Sequence, residues 1–383
     1  MAELSELRQE IDRIDSEIFR LFDERARVAE GVAAYKREHG LRVFDPVRER
    51  AKVTDAADRA PQDLRTYAQV LMELLMEASR SRQHALLGDA NDGRALALLD
   101  AARARTPEVF PASAHVVCQG VEGAYSQIAA ERFFRRPKIS YSPSFDGVFM
   151  TVEQGLADYG VLPLENSTAG SVNHVFDLMG EHSFYVVRTT RVKVDHNLLA
   201  LPGATLEGIR DIYSHEQAIN QCAEFLSGLP DVRVHVCENT AVAAKRVAES
   251  GRPDAAALSS RPCADLYGLA ALRSNVQDRD NNYTRFACIS KDLEVYPGAD
   301  RSSLMIVLNH EPGALYKLLA KFYALDINLL KLESRPIPER DFEFMFYFDI
   351  ECPAASPEFR SLLSTIGSLC QEFRYLGSYA EVV

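Results

Sequence analysis

The chain has 383 residues, 47% hydrophobic and 26% charged, with a net charge of −12. At roughly 150 residues per domain this implies two or three domains with ample core, and the acidic balance argues against a nucleic-acid partner and leaves any anionic ligand to locally placed Arg and Lys. Seven cysteines without a Cys-x-x-Cys pair and nine histidines without ligand spacing point to a reducing cytoplasm and to no metal site, while the charged N-terminus and the lack of any apolar run of membrane length argue against a signal peptide and a membrane partner.

Leu4, Leu7, Ile11, Ile14, Ile18, Leu21, Val28 and Val32 recur at helical spacing, predicting one long amphipathic helix that runs to Gly40. A helix this long cannot bury its stripe against itself and needs partner helices. Asp45-Pro46 reads as an N-cap with Pro at the first helical position of a second helix. Pro61 opens a third, Gln62 to Leu87, closed by Gly88. Residues 1–90 are therefore all-α. Arg25 and Lys36 lie close to three whole turns apart, on one face at about 16 Å, so their long side chains can grip a small dianion between them. Arg48 and Glu49 follow on the second helix, and Ser79 and Gln83 stack at i, i+4 on the third. Arg8 is about 25 Å from Arg25 along the axis and joins the same site only if a second chain supplies it.

The pieces Leu7-Arg8-x-x-Ile11, Glu24-Arg25, Lys36, Asp45-x-x-Arg48-Glu49 and Glu77-x-Ser79-x-x-x-Gln83 resemble the AroQ-type chorismate mutases of bacterial bifunctional P-proteins. The resemblance implies an intertwined helical dimer, within a homodimer or homotetramer, in which Arg8 crosses to the partner's site. It also implies a pericyclic rearrangement of chorismate to prephenate without covalent catalysis. Arg8, Arg25 and Arg48 would bind the carboxylates, Lys36 and Gln83 would stabilise the breaking ether oxygen, and Glu49 would hold the hydroxyl, with Asp45 and Ser79 completing the substrate contacts.

Residues 91–113 read as a linker. Asn91-Asp92-Gly93 is expected to end the helical module, Arg94 to Arg105 can form a short helix, and Thr106-Pro107 and Phe110-Pro111-Ala112-Ser113 are connector.

Residues 114–293 alternate strand-like and helix-like runs, which predicts two doubly wound α/β lobes with a cleft between them. Val116-Val117-Cys118 is a strand, and Gly120-x-x-Gly123-Ala124-Tyr125-Ser126 is a glycine turn before a helix at Ala129 to Phe134. Such a turn can hold an anion, but its glycine spacing does not fit a dinucleotide. Tyr159 to Leu164 reads as a strand leading into Glu165-Asn166-Ser167-Thr168, polar residues that serve equally as caps or as a site. Leu198 to Leu201 and Ala255 to Leu258 read as further strands. Tyr213-Ser214-His215-x-Gln217 and Gln221-Cys222 mark a strand end running into a helix, where His215 alone suits a structural turn. Asn281-Asn282-Tyr283-Thr284-Arg285-Phe286 places a hydroxyl and a guanidinium in a polar loop before the buried run Phe286 to Ile289.

Together with Pro163-x-Glu165-Asn166-Ser167 and Tyr267-Gly268-Leu269, these motifs resemble prephenate dehydratases, whose fold is like that of periplasmic binding proteins. By that resemblance Thr284 is the general acid that protonates the leaving ring hydroxyl of prephenate as carbon dioxide departs. Asn166, Gln221, Ser214 and Glu165 would orient the substrate with Ser167, His215 and Gln217, and Arg285 or backbone amides would hold its carboxylates. No cofactor is called for. Ala124 departs from the Ser or Thr common there.

Residues 300–383 predict the order βαββαβ of a ferredoxin-like plait: strands at Leu304 to Leu308, Ile327 to Leu332, Phe342 to Ile350 and Phe373 to Tyr379, with one helix opened by Glu311-Pro312-Gly313-Ala314-Leu315 and reaching Tyr323 and another from Pro357 to Cys370. Gly313-Ala314-Leu315 and Glu333-Ser334-Arg335-Pro336 resemble the phenylalanine-sensing ACT domain. The resemblance implies that L-phenylalanine is the effector, bound by these residues, with Gly313 leaving a helix N-terminus open to its carboxylate. The whole resembles a chorismate mutase/prephenate dehydratase inhibited by phenylalanine. The alternatives are an arogenate-using dehydratase and a non-catalytic aromatic amino-acid sensor.

Overall fold

A computed structural model describes residues 3–41, 43–87, 90–337, 340 and 343–382. The N-terminal part is all helical: α1 (Leu4–Glu38), α2 (Pro46–Arg59) and α3 (Arg65–Leu87). Asp45 caps α2, its carboxylate accepting from Arg48 N at 3.0 Å with Pro46 at the first position. Pro61 opens a single 3-10 turn (Gln62–Leu64) rather than the α-helix itself. Gly88, expected to close α3, lies outside the described residues. Both α1 and α2 pack on α3, yet α1 buries only Ala29 and Ala33. The stripe from Leu4 to Val32 stays 40–64% exposed.

The next helix, α4 (Ala90–Arg105), corrects the expected break: Asn91-Asp92-Gly93 lie in its first turn. The first N–H groups of a helix have no intrahelical partner, so such residues are tolerated there. What fixes α4 is burial further along. Leu99 and Ala102 are fully buried in one core with Leu304, Phe359 and Leu363, and Arg360 holds Asp100 at 2.6 and 3.1 Å.

The first α/β lobe runs β1 (His115–Gln119), α5 (Tyr125–Phe133), β2 (Lys138–Ser142), α6 (Phe145–Glu153), β3 (Tyr159–Asn166), β4 (Gly170–Ser171), α7 (Asn173–Glu181) and β5 (Tyr185–Lys193). The second runs β6 (Asn197–Ala200), β7 (Asp211–Ser214), α8 (Glu216–Gln221), α9 (Ala223–Ser227), β8 (Arg233–Val236), α10 (Thr240–Ser250), β9 (Ala255–Ser259), α11 (Pro262–Tyr267) and β10 (Ala270–Arg273). The chain then returns to the first lobe as β11 (Tyr283–Ser290). Its sheet order is β2-β1-β3-β11-β5; the second lobe's is β10-β6-β9-β7-β8. The centre of the second sheet is β9, buried at every position, as a continuous Ala-Ala-Ala-Leu run requires when both faces are covered. Residues 194–196 and 274–282 carry the chain between lobes. They are tied to one another: Val194 N donates to Asn282 O at 2.8 Å and Val276 N to His196 O at 2.9 Å.

The C-terminal part is β12 (Arg301–Leu308), α12 (Ala314–Ala324), β13 (Asn328–Pro336), β14 (Phe344–Glu351), α13 (Pro357–Leu363) and β15 (Cys370–Val382). This is the βαββαβ plait, with strand order β13-β14-β12-β15. The expected helix from Pro357 to Cys370 stops at Leu363, and a 3-10 turn (Ile366–Leu369) replaces its end; Thr365 and Gly367 are weak helix formers. Phe342, expected to begin a strand, lies outside the described residues. The end of β15 pairs in parallel with β5, Ala380 against Arg188 through Val382 against Thr190, so the plait and the first lobe share one sheet. Gly377 makes the approach possible: its φ is +127°, and a Cβ there would overlap Val186 O.

Candidate active site

The two lobes enclose a cavity of about 530 Å³ whose walls include Asn166, His196, His215, Gln217, Gln221, Thr284 and Phe286. Thr284 and Phe286 share a face of β11, as the two-residue repeat of a strand demands. The expected polar loop is in fact already strand, beginning at Tyr283.

Asn166 is the organising side chain. Its Oδ1 accepts from Thr168 N at 3.1 Å, Ala169 N at 3.0 Å and Thr168 Oγ1 at 2.7 Å. Backbone N–H groups can only donate, so the orientation of this amide is fixed. Its Nδ2 must then donate to Asn282 Oδ1 at 2.7 Å and to Thr284 Oγ1 at 3.0 Å, with Tyr283 O further off at 3.3 Å. Thr284 Oγ1 is therefore an acceptor from the protein, and among the described residues nothing accepts its own O–H. That hydrogen is free to point into the cavity.

Several expected substrate contacts lie elsewhere. Arg285, one residue on, projects from the opposite face of β11. It is 7% exposed and held by Asp349 and, at 3.1 Å, by Glu165, so it is unavailable for a substrate carboxylate in the cleft. Glu165 faces the same way as Arg285, pairing also with Lys331 at 2.6 Å. Ser167 donates to Asn281 O and accepts from Tyr283 N, both at 2.9 Å. Glu165, Ser167 and Arg285 line a separate recess with Arg132 and Arg191. Ser214 is fully buried and bonds Leu258 O at 2.8 Å, a strand-to-strand tie rather than a substrate contact. His215 lines the cavity but is also the N-cap of α8.

In the helical part, the Arg25 guanidinium donates to Leu75 O and Ser79 Oγ, so Arg25 and Ser79 do meet across α1 and α3. Lys36 Nζ donates to Val43 O at 2.6 Å. Glu49 is paired with Arg80, a partner that sequence reasoning missed. Gln83 is 7% exposed with Oε1 unpartnered among the described residues. Arg8 and Arg48 are exposed, and Asp45 is occupied as a cap.

A recess of about 480 Å³ at the start of α12 is lined by residues from Leu308 to Tyr316 with Phe344 and Phe346. Gly313, Ala314 and Leu315 are in its wall, Gly313 at φ +81°. The second effector motif divides by strand alternation. Glu333 accepts from Ser171 at 2.5 Å and Arg335 clasps Asp177 at 2.6 and 2.9 Å, both against the first α/β lobe and not the recess. Ser334 and Pro336 take the other, exposed face, in register with Phe346 and Phe344.

The prephenate dehydratase family model matches residues 116–294, and that for chorismate mutase type II matches residues 7–84. The bifunctional chorismate mutase/prephenate dehydratase of Aquifex aeolicus (strain VF5) is 32% identical, covering 100% of this chain and 99% of its own. Arogenate dehydratase/prephenate dehydratase 2, chloroplastic, of Arabidopsis thaliana is 37% identical over 69% of this chain and 72% of that one. Among solved structures, prephenate dehydratase of Arthrobacter aurescens in complex with L-Phe is 26% identical with a TM-score of 0.64, over 70% of this chain and 89% of that one. A structure described as GqqA, a novel type of quorum quenching acylases, is 32% identical with a TM-score of 0.63, over 69% of this chain and 97% of that one.

Proposed function

We infer the mechanism from the premise that this chain belongs to the bifunctional chorismate mutase/prephenate dehydratase family: it converts chorismate to prephenate and prephenate to phenylpyruvate, under feedback by phenylalanine. The observation that carries the second reaction is the uncommitted hydroxyl hydrogen of Thr284 on the cavity wall. The ring C–O bond of prephenate breaks with its electron pair, Thr284 supplies the proton, and water leaves. The electron pair of the ring carbon–carboxylate bond enters the ring as carbon dioxide departs. A threonine hydroxyl is a poor acid in water. Here the Asn166 N–H directed at Oγ1 from 3.0 Å stabilises the negative charge that grows on the oxygen as its proton leaves. Gln217 and Gln221 supply further polar wall.

The same geometry argues against an acyl-transfer role for the cleft. A nucleophilic hydroxyl needs a neighbouring base to take its proton, whereas the group at hydrogen-bond distance from Thr284 Oγ1 is the N–H of an amide. Prephenate is favoured over arogenate because the chain carries the helical module that makes prephenate, matched in the relative that spans its whole length.

The mutase reaction is unimolecular, so its site has only to hold chorismate in a reactive conformer and meet developing charge. Arg25, Lys36, Arg48, Glu49 and Gln83 are that site's residues, with Arg8 supplied by a second copy. The stripe of α1, exposed from Leu4 to Val32, supports the pairing, since an apolar surface of this length on a charged protein marks an interface. The assembly is a homodimer or a dimer of such dimers, in the cytoplasm. Phenylalanine binds with its carboxylate at the α12 N-terminus, where Gly313 leaves open space. The deciding assay gives the protein chorismate alone and follows phenylpyruvate with and without phenylalanine. Absence of phenylpyruvate, or turnover indifferent to phenylalanine, would overturn the reading.

A further inference from the structure

We propose that His196, on the first crossing between the lobes, is a positioning residue for the dehydratase acid, acting through Gln221, Asn282 and Asn166; the proposal rests on Thr284 being that acid.

The argument follows the direction of each hydrogen bond outward from a fixed point. Asn166 Oδ1 is fixed as the acceptor by two backbone N–H groups, so its Nδ2 donates to Asn282 Oδ1. Asn282 must therefore present its Nδ2 to Gln221 Oε1, at 2.9 Å. Gln221 Oε1 is thus an acceptor, and its Nε2 donates to Thr168 Oγ1 at 2.9 Å. The remaining partner of Gln221 Oε1 is His196 Nε2, also at 2.9 Å. That nitrogen must carry a hydrogen. His196 is 2% exposed, and its Nδ1 is buried with no partner among the described residues, so a second hydrogen would have nowhere to go. The chain of bonds selects the neutral Nε2–H tautomer, and that tautomer closes the chain at its far end from Thr284.

The consequence is a one-way array. With the His196 N–H in place, the Gln221 carbonyl is held toward the two crossings and Asn282 is held amide-first. The Asn282 oxygen then stays on one Asn166 N–H and leaves the other in line with Thr284 Oγ1, so the threonine aims its own hydrogen into the cavity. Without it, Gln221 loses one of two donors and can rotate. Asn282 then loses the partner that holds it, and Asn166, still anchored by Thr168 N and Ala169 N, loses the Asn282 oxygen that aligns its N–H pair, so the N–H aimed at Thr284 Oγ1 drifts from its line. His196 is also tied by its backbone to the second crossing, through Gln277 Oε1 at 3.0 Å and Val276 N at 2.9 Å. The bonds that align the acid thus reach back to the point where the lobes join.

The test compares His196→Gln with His196→Asn, because the glutamine amide nitrogen reaches the place of Nε2 and the asparagine nitrogen does not. Turnover of prephenate is measured with both, and mutase turnover in the same samples controls for folding. The expected result is a kcat within about fivefold of wild type for H196Q and about 10²-fold lower for H196N, with KM changed little, the size of loss that an angstrom of misplacement causes. Long-range 1H–15N spectra of histidine-labelled protein, with the His196 signal identified by its loss in H196Q, are expected to show the Nε2–H tautomer. Equal activity of the two variants, or an Nδ1–H tautomer, would overturn the proposal. Thr284→Ala run alongside separates the two levels: if it leaves phenylpyruvate formation near normal, the acid assignment itself fails, whatever the His196 variants do.

Discussion

On the proposed reading the cleft and the helical module each hold one small dianion, and they are built for it in opposite ways. In the cleft every polar group that sets Thr284 comes from a single chain and is interlocked, from the backbone of Thr168 and Ala169 through Asn166, Asn282 and Gln221. In the helical module the single chain leaves Arg8 and Arg48 in solvent, Gln83 Oε1 unpartnered among the described residues and α1 with its apolar stripe bare. A site that must deliver a proton is built rigid from its own strands. One that only has to confine a conformer can be left unfinished until a second copy arrives.

The largest expected effect breaks one side of that contrast only. Thr284→Ala is expected to lower kcat for phenylpyruvate formation from prephenate by about 10²–10⁴-fold, the worth of general acid catalysis, while prephenate formation from chorismate is unchanged. Lys36→Ala is expected to do the reverse, costing about 10²–10³-fold in mutase turnover by analogy with loss of a charge-stabilising donor and leaving added prephenate consumed normally. Next in size is complementation. Arg8→Ala and Arg25→Ala chains, each nearly inactive as mutases, are expected to regain about a quarter of wild-type activity when mixed, because half the dimers are mixed and each contains one intact site. No recovery would place Arg8 outside the site.

A smaller effect concerns acid. Burial holds the His196 imidazole pKa below its usual value, against weaker opposing pulls from its Gln221 bond and from Asp195, with His215 adding to the lowering. An unfolded histidine titrates near ~6.5. Below that pH the unfolded chain takes up a proton that the folded one refuses, so stability is lost as pH falls from about 6.5 toward the folded value. Urea midpoints at pH 7.5 and 5.5 are expected to show this loss in wild type and less of it in H196Q; equal slopes would contradict it. The smallest effect is at the seam, where Arg335 meets Asp177 and Lys331 meets Glu165. A double-mutant cycle on Arg335 and Asp177 is expected to give about 1 kcal/mol or less in thermal unfolding, diminishing with salt.

Thr284 and Asn166, at strand ends, and Gln221, at the end of α8, stood out in the sequence because they sit in short motifs, and the structure brings all three to one cavity wall. The direction of Arg285 did not stand out, since residues 281–286 read as loop; once β11 starts at Tyr283, alternation sends Arg285 away from Thr284. No polar-apolar alternation marks it, since Thr284 and Arg285 are both polar and Phe286 shares the Thr284 face. The same arithmetic splits Glu333 and Arg335 from Ser334 and Pro336. His196 escaped notice because Asp195-His196-Asn197 has no spacing of its own, and its importance arises from contacts with residues as distant as Gln221 and Gln277. Arg80 was hidden for a similar reason, lying on a different helix from Glu49. The βαββαβ order was readable from periodicity, whereas the joining of that plait to the catalytic lobe depends on backbone pairing that no local pattern announces.

That joining at Gly377 limits how the effector module can speak to the cleft. Because β15 is hydrogen-bonded to β5, and β5 to the strand that bears Thr284, the plait cannot swing as a loose lid. Asp349 of β14 also holds Arg285, next to Thr284 on β11, and Lys331 of β13 holds Glu165, so a change of twist in the plait would reach the cleft strand through the shared sheet and through these ion pairs, like a wrung cloth that turns at both ends. Gly377→Ala, which would drive a Cβ into the Val186 backbone and strain β15 itself, is expected to open the seam and lower the thermal midpoint of the plait and the first lobe together.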